Sequence, residues 1–194
     1  SGRLMKQFYI LIILLISSCT YNETILYKNN ASKFLKHYSF NDSTLINLND
    51  KPKVFFSIDP ECPLCASYSK KINEIYEEYN KEIDFYAFLP SIVFSEIKTE
   101  NFLQKHNLKM PIIVDTNQVI TNLLDAKITP ECFLLDSSFN NIYHGLIDDW
   151  IKDLGRKGQY INYDYLIDAI DSHLNNKQVK ITRTKAIGCI IERL

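Results

Sequence analysis

Composition and charge exclude several classes of function. The chain has 194 residues, of which 46% are hydrophobic and 23% charged, as in one ordinary globular domain rather than a disordered or fibrous protein. Its 22 Lys and Arg residues are balanced by 23 Asp and Glu residues, so no positive surplus attracts nucleic acid, and nucleic acid is not an expected partner.

Residues 1–18 contain the parts of an export signal in order. Met5-Lys6-Gln7 supplies a charged start, Phe8 to Ile16 an apolar run, and Ser17-Ser18 the small residues before a cleavage site. The apolar run is too short for a membrane-spanning helix, which needs ~20 residues. Ser1 to Leu4 precede Met5, the expected initiator, and we interpret them as a cloning remnant.

The sequence ISSC at 16–19 resembles the lipobox of bacterial lipoproteins, in which the signal is cut before a cysteine that is then lipidated. The resemblance implies a lipid anchor on Cys19, a polar tether over 19–30 and a folded domain over 31–194, facing the periplasm from the cell envelope. Thr20, rather than an acidic residue, follows the cysteine, which favours the outer membrane. A cysteine standing there by chance is the alternative.

The first half of the domain predicts alternating strands and helices. KVFFSI (53–58) is almost entirely apolar, as in a central strand covered on both faces. From Leu64 to Tyr79 apolar residues recur at spacings of three and four, which predicts an amphipathic helix with Pro63 in its first turn. A second buried strand and a second, irregular helix are predicted at 83–89 and 91–106.

The second half predicts a short strand, a helix, a hairpin and a last helix. These are expected at 112–114, 118–125, 132–136 with 141–147, and 163–174. The hairpin follows from two apolar runs separated by turn-prone residues. The order indicates an α/β sandwich around a mixed sheet with flanking helices.

Two cysteines lie between the first strand and the first helix, in DPECPLC (59–65). Backbone N–H groups at the helix N-terminus would favour the thiolate of Cys62, and Cys65, one turn further on, could attack a mixed disulfide formed there. The spacing therefore predicts a nucleophile and a resolving thiol. A structural disulfide and a zinc site are the alternatives, although so small a loop stabilises little and no second Cys/His pair has metal-ligand spacing.

The strand–CxxC–helix order, followed by ITPE (128–131) before a strand and a hairpin, resembles the thioredoxin fold. TPECFLLD, YHGLIDDW and TRTKAIGC further resemble exported redoxins, the alkyl hydroperoxide reductase and thiol-specific antioxidant branch. The resemblance implies a thioredoxin-like three-layer sandwich whose cis-Pro130, with Thr129 before it, faces the dithiol and presents backbone groups to an extended substrate. It implies no cofactor other than the Cys62–Cys65 disulfide.

Some residues near the dithiol depart from the patterns of this fold. Peroxidatic redoxins have Thr three residues before the reactive cysteine and recruit an Arg; here Asp59 takes that position, where its charge would raise the thiol pKa and repel a peroxide anion. Arg156 and Arg183 are candidates for the missing cation. Asp59, or Glu61 in place of the thioredoxin Trp, is a candidate for proton transfer, with a solvated rim carboxylate as the alternative.

Other residues outside the CxxC motif suggest further roles. Cys132 lies in an apolar strand and is predicted to be a core residue. Cys189 lies in the terminal KAIGCII, where Gly188 permits a turn; we hypothesise that this segment folds back towards the dithiol and that Cys189 is a third redox or metal-binding thiol, with a docked structural thiol as the alternative. His144 is expected to be packed or on the surface, and 148–150 to cap the last helix and anchor it in the core.

The favoured function is a thiol-disulfide oxidoreductase of the cell envelope that exchanges disulfides with exported proteins. The resemblance favours the reducing direction, for which a membrane thiol reductant would supply electrons. A thiol peroxidase is one alternative. The other is a copper-binding chaperone with the same fold, because thiolates suit Cu(I).

Overall fold

The computed structural model describes residues 50–194. The predicted export signal, Cys19, the tether and residues 31–49 lie outside the described residues. Within the described part of the chain, no helix is both long enough and apolar enough to cross a membrane.

Thirteen helices and strands follow one another in residues 50–194. They are β1 (Lys53–Ser57), α1 (Pro63–Tyr79), β2 (Asp84–Leu89), α2 (Glu96–His106), β3 (Ile112–Val114), α3 (Val119–Leu123), β4 (Ile128–Thr129), β5 (Glu131–Leu135), β6 (Asn141–Gly145), β7 (Ile151–Asp153), β8 (Arg156–Lys157), α4 (Tyr165–Leu174) and β9 (Cys189–Ile190).

A mixed five-stranded sheet in the order β3-β2-β1-β5-β6 forms the centre of the domain. Strands β1, β2 and β3 are parallel, whereas β5 runs antiparallel to β1 and β6 antiparallel to β5. Strand β1 is central and all five of its residues are buried, which is why its middle residues, Val54 to Phe56, are consecutive apolar residues rather than alternating ones. The predicted mixed sheet is confirmed.

Helices cover both faces of this sheet and give three layers. Because successive side chains of a strand point to opposite faces, Phe56 packs in the cluster that contains the buried residues of α1, α2 and α4. Its neighbour Phe55 packs in the opposite cluster with α3. Ile191, close to the C-terminus, completes that second cluster, so the end of the chain is part of the core.

The second and third helices are shorter than predicted. The helix expected over 91–106 begins only at Glu96, because the Ser91 hydroxyl bonds to the backbone of Val93 and forms a local turn instead. Gln118 has a left-handed backbone (φ 52°), which an α-helix excludes. The Asp115 carboxylate then accepts hydrogen bonds from N–H groups in the first turn of α3.

The segment before α4 also differs from the prediction. The interpretation of 148–150 as a helix-entry cap is wrong, because the β7–β8 hairpin follows it and α4 begins only at Tyr165. Asp149 instead accepts hydrogen bonds from the N–H groups of Asn162 and Tyr163, which holds those residues outside the helix. Trp150 is half-buried, and its ring stands perpendicular to that of Tyr68 at a centroid distance of 5.7 Å.

Residues 176–194, here called the tail, run back across the domain after α4. Backbone hydrogen bonds from His144 to Thr182 and from Thr184 to His144, of 3.1 and 3.0 Å, attach the tail to β6. Gly145 permits this approach: its φ is +134°, and a Cβ there would lie 2.3 Å from the Thr184 hydroxyl. At its end, the N–H of Leu194 donates to the Gln118 side chain at 3.1 Å.

Candidate dithiol site

Cys62 lies at the junction predicted for it. It is the residue immediately before α1, with an extended backbone (φ −82°, ψ 116°), and Pro63 opens the helix. Its Sγ lies 3.2 Å from the carbonyl oxygen of Thr129, and only 2% of the residue is exposed. The strand-to-helix turn thus holds the sulfur against the loop that contains Pro130.

The surroundings of Cys62 favour its thiolate. A hydrogen bond from the Cys65 thiol is the largest effect, and together with a hydrogen bond from Cys189 and the backbone N–H groups of Cys65 and Leu64 it lowers the pKa of Cys62 to about 4, against the opposing effect of burial. The last two donors belong to the first turn of α1, where N–H groups have no helical partner. The first turn of α1 and the two neighbouring thiols therefore favour the ionised form of Cys62.

Cys65 has the opposite character. It is fully buried, and burial, followed by its hydrogen bond to Cys62 and the charge there, raises its pKa well above that of a free thiol. The N–H of Asp59 donates to its sulfur at 3.4 Å. None of the four described cysteines is in a disulfide. The pair therefore combines Cys62, whose surroundings favour the thiolate, with Cys65, whose burial favours the protonated thiol.

The Thr129–Pro130 peptide bond is cis, and two side chains hold the loop that contains it. The Ser57 hydroxyl donates to the carbonyl of Ile128 at 2.6 Å and accepts from the N–H of Glu131 at 2.9 Å. The buried Glu131 carboxylate in turn accepts from the N–H of Lys127 at 3.1 Å. These bonds connect the loop to β1 and β5.

Ser57 and Glu131 were not predicted from the sequence as site residues. Each is a polar residue next to a run of apolar ones, in VFFSI (54–58) and ECFLL (131–135), and each is almost fully buried. Because buried polar groups need hydrogen-bond partners, that pattern was the available signal.

The two candidates for proton transfer lie in different environments. Asp59 is half-buried, and burial, together with the negative charge of Cys62, raises its pKa even though the N–H of Glu61 donates to its carboxylate at 2.8 Å. The Glu61 side chain is 67% exposed and forms a 2.7 Å ion pair with Lys98. The charge of Cys62 thus acts on the half-buried Asp59, while the exposed Glu61 carboxylate is paired with Lys98.

Cys189 also lies at the dithiol. Strand β9 pairs antiparallel with β4, so that Cys189 lies opposite Thr129 and Ile190 opposite Ile128. Burial, the hydrogen bond to Cys62 and the charge of that thiolate raise the pKa of Cys189 to about 12. Three thiols therefore meet beside Pro130, two from the CxxC motif and one from the tail.

The remaining candidates lie elsewhere. Cys132 is a fully buried core residue of β5, as predicted. The ring of His144 stacks on Phe133, and its backbone forms an isolated β-bridge with Arg183 of the tail. Arg156 belongs to the exposed strand β8. Among residues 50–194, no group of three or more His, Cys, Asp or Glu side chains is arranged to hold a metal ion.

Comparison with known proteins identifies the family. The pattern of the AhpC/TSA family matches residues 29–144, more than half of the chain. The chain belongs to the AhpC/TSA family. The family resemblance seen in the sequence is thereby confirmed, whereas the lipoprotein subgroup remains a prediction. No curated protein matches the chain.

Solved structures share the fold. An uncharacterized conserved protein from Geobacillus kaustophilus superposes with a TM-score of 0.72 at 19% identity, over 82% of this chain and 88% of that one. A hypothetical protein from Sinorhizobium meliloti superposes with a TM-score of 0.64 at 22% identity, over 75% of this chain and 81% of that one. A thioredoxin-like protein from Aeropyrum pernix superposes with a TM-score of 0.53 at 14% identity, over 68% of this chain and 90% of that one. These identities demonstrate the fold alone, and the predicted thioredoxin-like α/β fold is confirmed.

Proposed function

We propose that this protein is a thiol-disulfide oxidoreductase in which Cys62 is the nucleophile and Cys65 the resolving thiol. The observation that carries the proposal is the asymmetry of the pair. Hydrogen bonds lower the pKa of Cys62 to about 4, whereas burial keeps Cys65 protonated. A thiolate is the attacking species in thiol–disulfide exchange, so only the first cysteine is ready to react.

The reaction reduces a substrate disulfide in two displacements. The Cys62 thiolate attacks one substrate sulfur, a mixed disulfide forms, and the other substrate sulfur leaves as a thiolate that takes up a proton. Cys65 then loses its proton and attacks Cys62, which closes the Cys62–Cys65 disulfide and releases the second substrate thiolate. Two electrons pass from the dithiol to the substrate, and no cofactor beyond the Cys62–Cys65 disulfide is used.

Asp59 is the proposed acceptor of the Cys65 proton. In the reduced protein the Cys62 charge contributes to the raised pKa values of both Asp59 and Cys65. In the mixed disulfide that charge is gone, so the Cys65 thiol becomes more acidic and gives up its proton more readily to the nearby carboxylate. Proton transfer is thereby linked to arrival of substrate.

We propose that the substrates are extended segments of exported proteins, positioned by the backbone of Thr129 and Pro130. The export signal and the lipobox around Cys19 support a lipid-anchored, periplasm-facing location, with Thr20 favouring the outer membrane. A membrane thiol reductant would return the dithiol to its reduced form. Both cysteines of the CxxC motif are required by this cycle.

Insulin-disulfide reduction by single cysteine variants tests the function. Cys62→Ser is expected to abolish activity, and Cys132→Ser, which alters only a core thiol, to keep it. The double variant Cys65→Ser/Cys189→Ser, which lacks both thiols beside Cys62, is expected to accumulate a mixed disulfide on Cys62. Asp59→Asn is expected to slow the closing step while leaving the initial attack intact. Undiminished activity in Cys62→Ser would refute the proposal.

Membership of the AhpC/TSA family favours a second candidate, thiol peroxidase. The Cys62 thiolate would attack a peroxide oxygen and break the O–O bond, which gives a sulfenic acid and releases an alcohol or water. Cys65 would then attack the sulfenic acid, forming the Cys62–Cys65 disulfide and releasing water. The charge of Asp59 opposes the approach of a peroxide anion. Stopped-flow oxidation of the reduced protein by hydrogen peroxide, at a rate no greater than that of a free thiol, would eliminate this candidate.

A further inference from the structure

The tail occupies the edge of β4 that an extended substrate would need. Strand β9 forms an antiparallel pair with β4 directly before Pro130, and the N–H of Ile191 continues the attachment by donating to the carbonyl of Lys127 at 2.9 Å. Antiparallel addition of a strand to a free edge is a common way for proteins to bind an extended peptide. The chain therefore supplies its own segment at this position.

Close approach of the tail depends on Gly188. A Cβ at this residue would lie 2.1 Å from the carbonyl oxygen of Thr129 and 2.8 Å from a methyl group of Ile128. Neither β4 atom belongs to a long, flexible side chain that could move aside. The tail therefore reaches β4 because residue 188 has no side chain.

The pairing brings a third thiol to the buried nucleophile. Cys189 lies opposite Thr129 in the register, and the Thr129 carbonyl oxygen lies 3.2 Å from the sulfur of Cys62. Cys62 and Cys65 are both buried, whereas Cys189 is partly exposed and its neighbour Ile190 is 85% exposed. Of the three thiols, Cys189 is the one that solvent can reach.

We propose that the tail binds β4 as a built-in substrate and that Cys189 is a third redox thiol, which exchanges with Cys62. The proposal rests on the proposed function. In the oxidised protein Cys189 loses its proton and attacks Cys62; the Cys62–Cys189 bond forms, the Cys62–Cys65 bond breaks, and Cys65 leaves as a thiolate that takes up a proton. One disulfide replaces another, so no external oxidant or reductant is needed.

Oxidation of the dithiol itself enables this exchange. In the reduced protein the Cys62 charge helps to keep Cys189 protonated, and that charge disappears when Cys62 enters a disulfide. The exchange transfers the disulfide from a fully buried partner to a partly exposed one, where a partner thiol can attack Cys189. An external extended substrate has to displace the tail from β4 before it can pair there.

The Cys65→Ser variant tests the exchange with glutathione disulfide as the probe. Attack on Cys62 first gives a glutathione adduct, and the proposal expects Cys189 to displace glutathione and form a Cys62–Cys189 disulfide that mass mapping identifies. The double variant Cys65→Ser/Cys189→Ser should keep the adduct. An adduct that persists in Cys65→Ser beside a free Cys189 would overturn the proposal and leave the proposed function standing. A Cys62 that reacts in neither variant would overturn both.

A backbone variant tests the role of the tail separately. In the Cys65→Ser background, Gly188→Ala is expected to lose the Cys62–Cys189 bridge and retain glutathione, because the added methyl group prevents pairing with β4. Ile190→Ala is the matched control in the same strand, since its side chain points to solvent, and it should form the bridge. Equal yields of the bridge in the two variants would contradict the proposed binding of the tail.

Discussion

The hydrogen bond from the Cys65 thiol is the strongest influence on the Cys62 thiolate, so Cys65→Ala is expected to make Cys62 markedly less acidic. A hydrogen bond to a charged group contributes ~1.5–3 kcal/mol, and one pKa unit corresponds to ~1.4 kcal/mol. The pKa of Cys62 should therefore rise from about 4 by ~1–2 units. Cys65→Ser retains a hydroxyl donor at the same position and is the matched control.

A pH titration of the ultraviolet thiolate absorbance of the fully reduced protein measures this change. Cys132 stays protonated because it is buried, and the pKa of Cys189 is raised to about 12, so absorbance gained at acidic pH belongs to Cys62. The alanine variant should titrate at higher pH than the wild type, and the serine variant close to it. Coincident curves for alanine and serine would refute the assignment of Cys65 as the principal donor.

Three further predictions concern stability. Ser57→Ala removes the partner of a buried N–H and of a carbonyl in the Thr129–Pro130 loop, and should lower the free energy of unfolding by ~1–3 kcal/mol in urea; an unchanged value would contradict this. Tyr68→Phe removes the 2.7 Å hydrogen bond to the buried Asp148 and should cost a similar ~1–3 kcal/mol, whereas Tyr160→Phe, at an exposed position, should cost nothing measurable. Folding lowers the pKa of Cys62 to about 4, so between that pH and ~8.5 the unfolded chain binds one proton more than the folded protein. The free energy of unfolding of the reduced wild type should therefore rise with pH relative to that of Cys62→Ser, by at most ~1.4 kcal/mol per pH unit. Parallel pH profiles of the two proteins would count against the lowered pKa.

Local signals were sufficient for the order of the main elements and for the position of the dithiol. The consecutive apolar residues 54–56 of β1 and the three-and-four spacing along α1 indicate burial directly, because each pattern depends on which faces of one element contact the core. The helix N-terminus is likewise a local feature, so the roles of Cys62 and Cys65 could be predicted from their spacing. Boundaries were less accurate where side chains such as Ser91 and Asp115 bond to nearby backbone.

The sequence by itself determined the family, the sheet with its helices, the CxxC junction and the candidate proline. Only the tertiary structure decided what surrounds them. Strands β4 and β9 contain two residues each, too few for any periodicity, and their pairing joins residues about sixty positions apart in the chain. Long-range contacts of this kind depend on the whole core and on the absence of a side chain at Gly188. The sequence could therefore only suggest that Cys189 lies beside the dithiol, and the tertiary structure places it there.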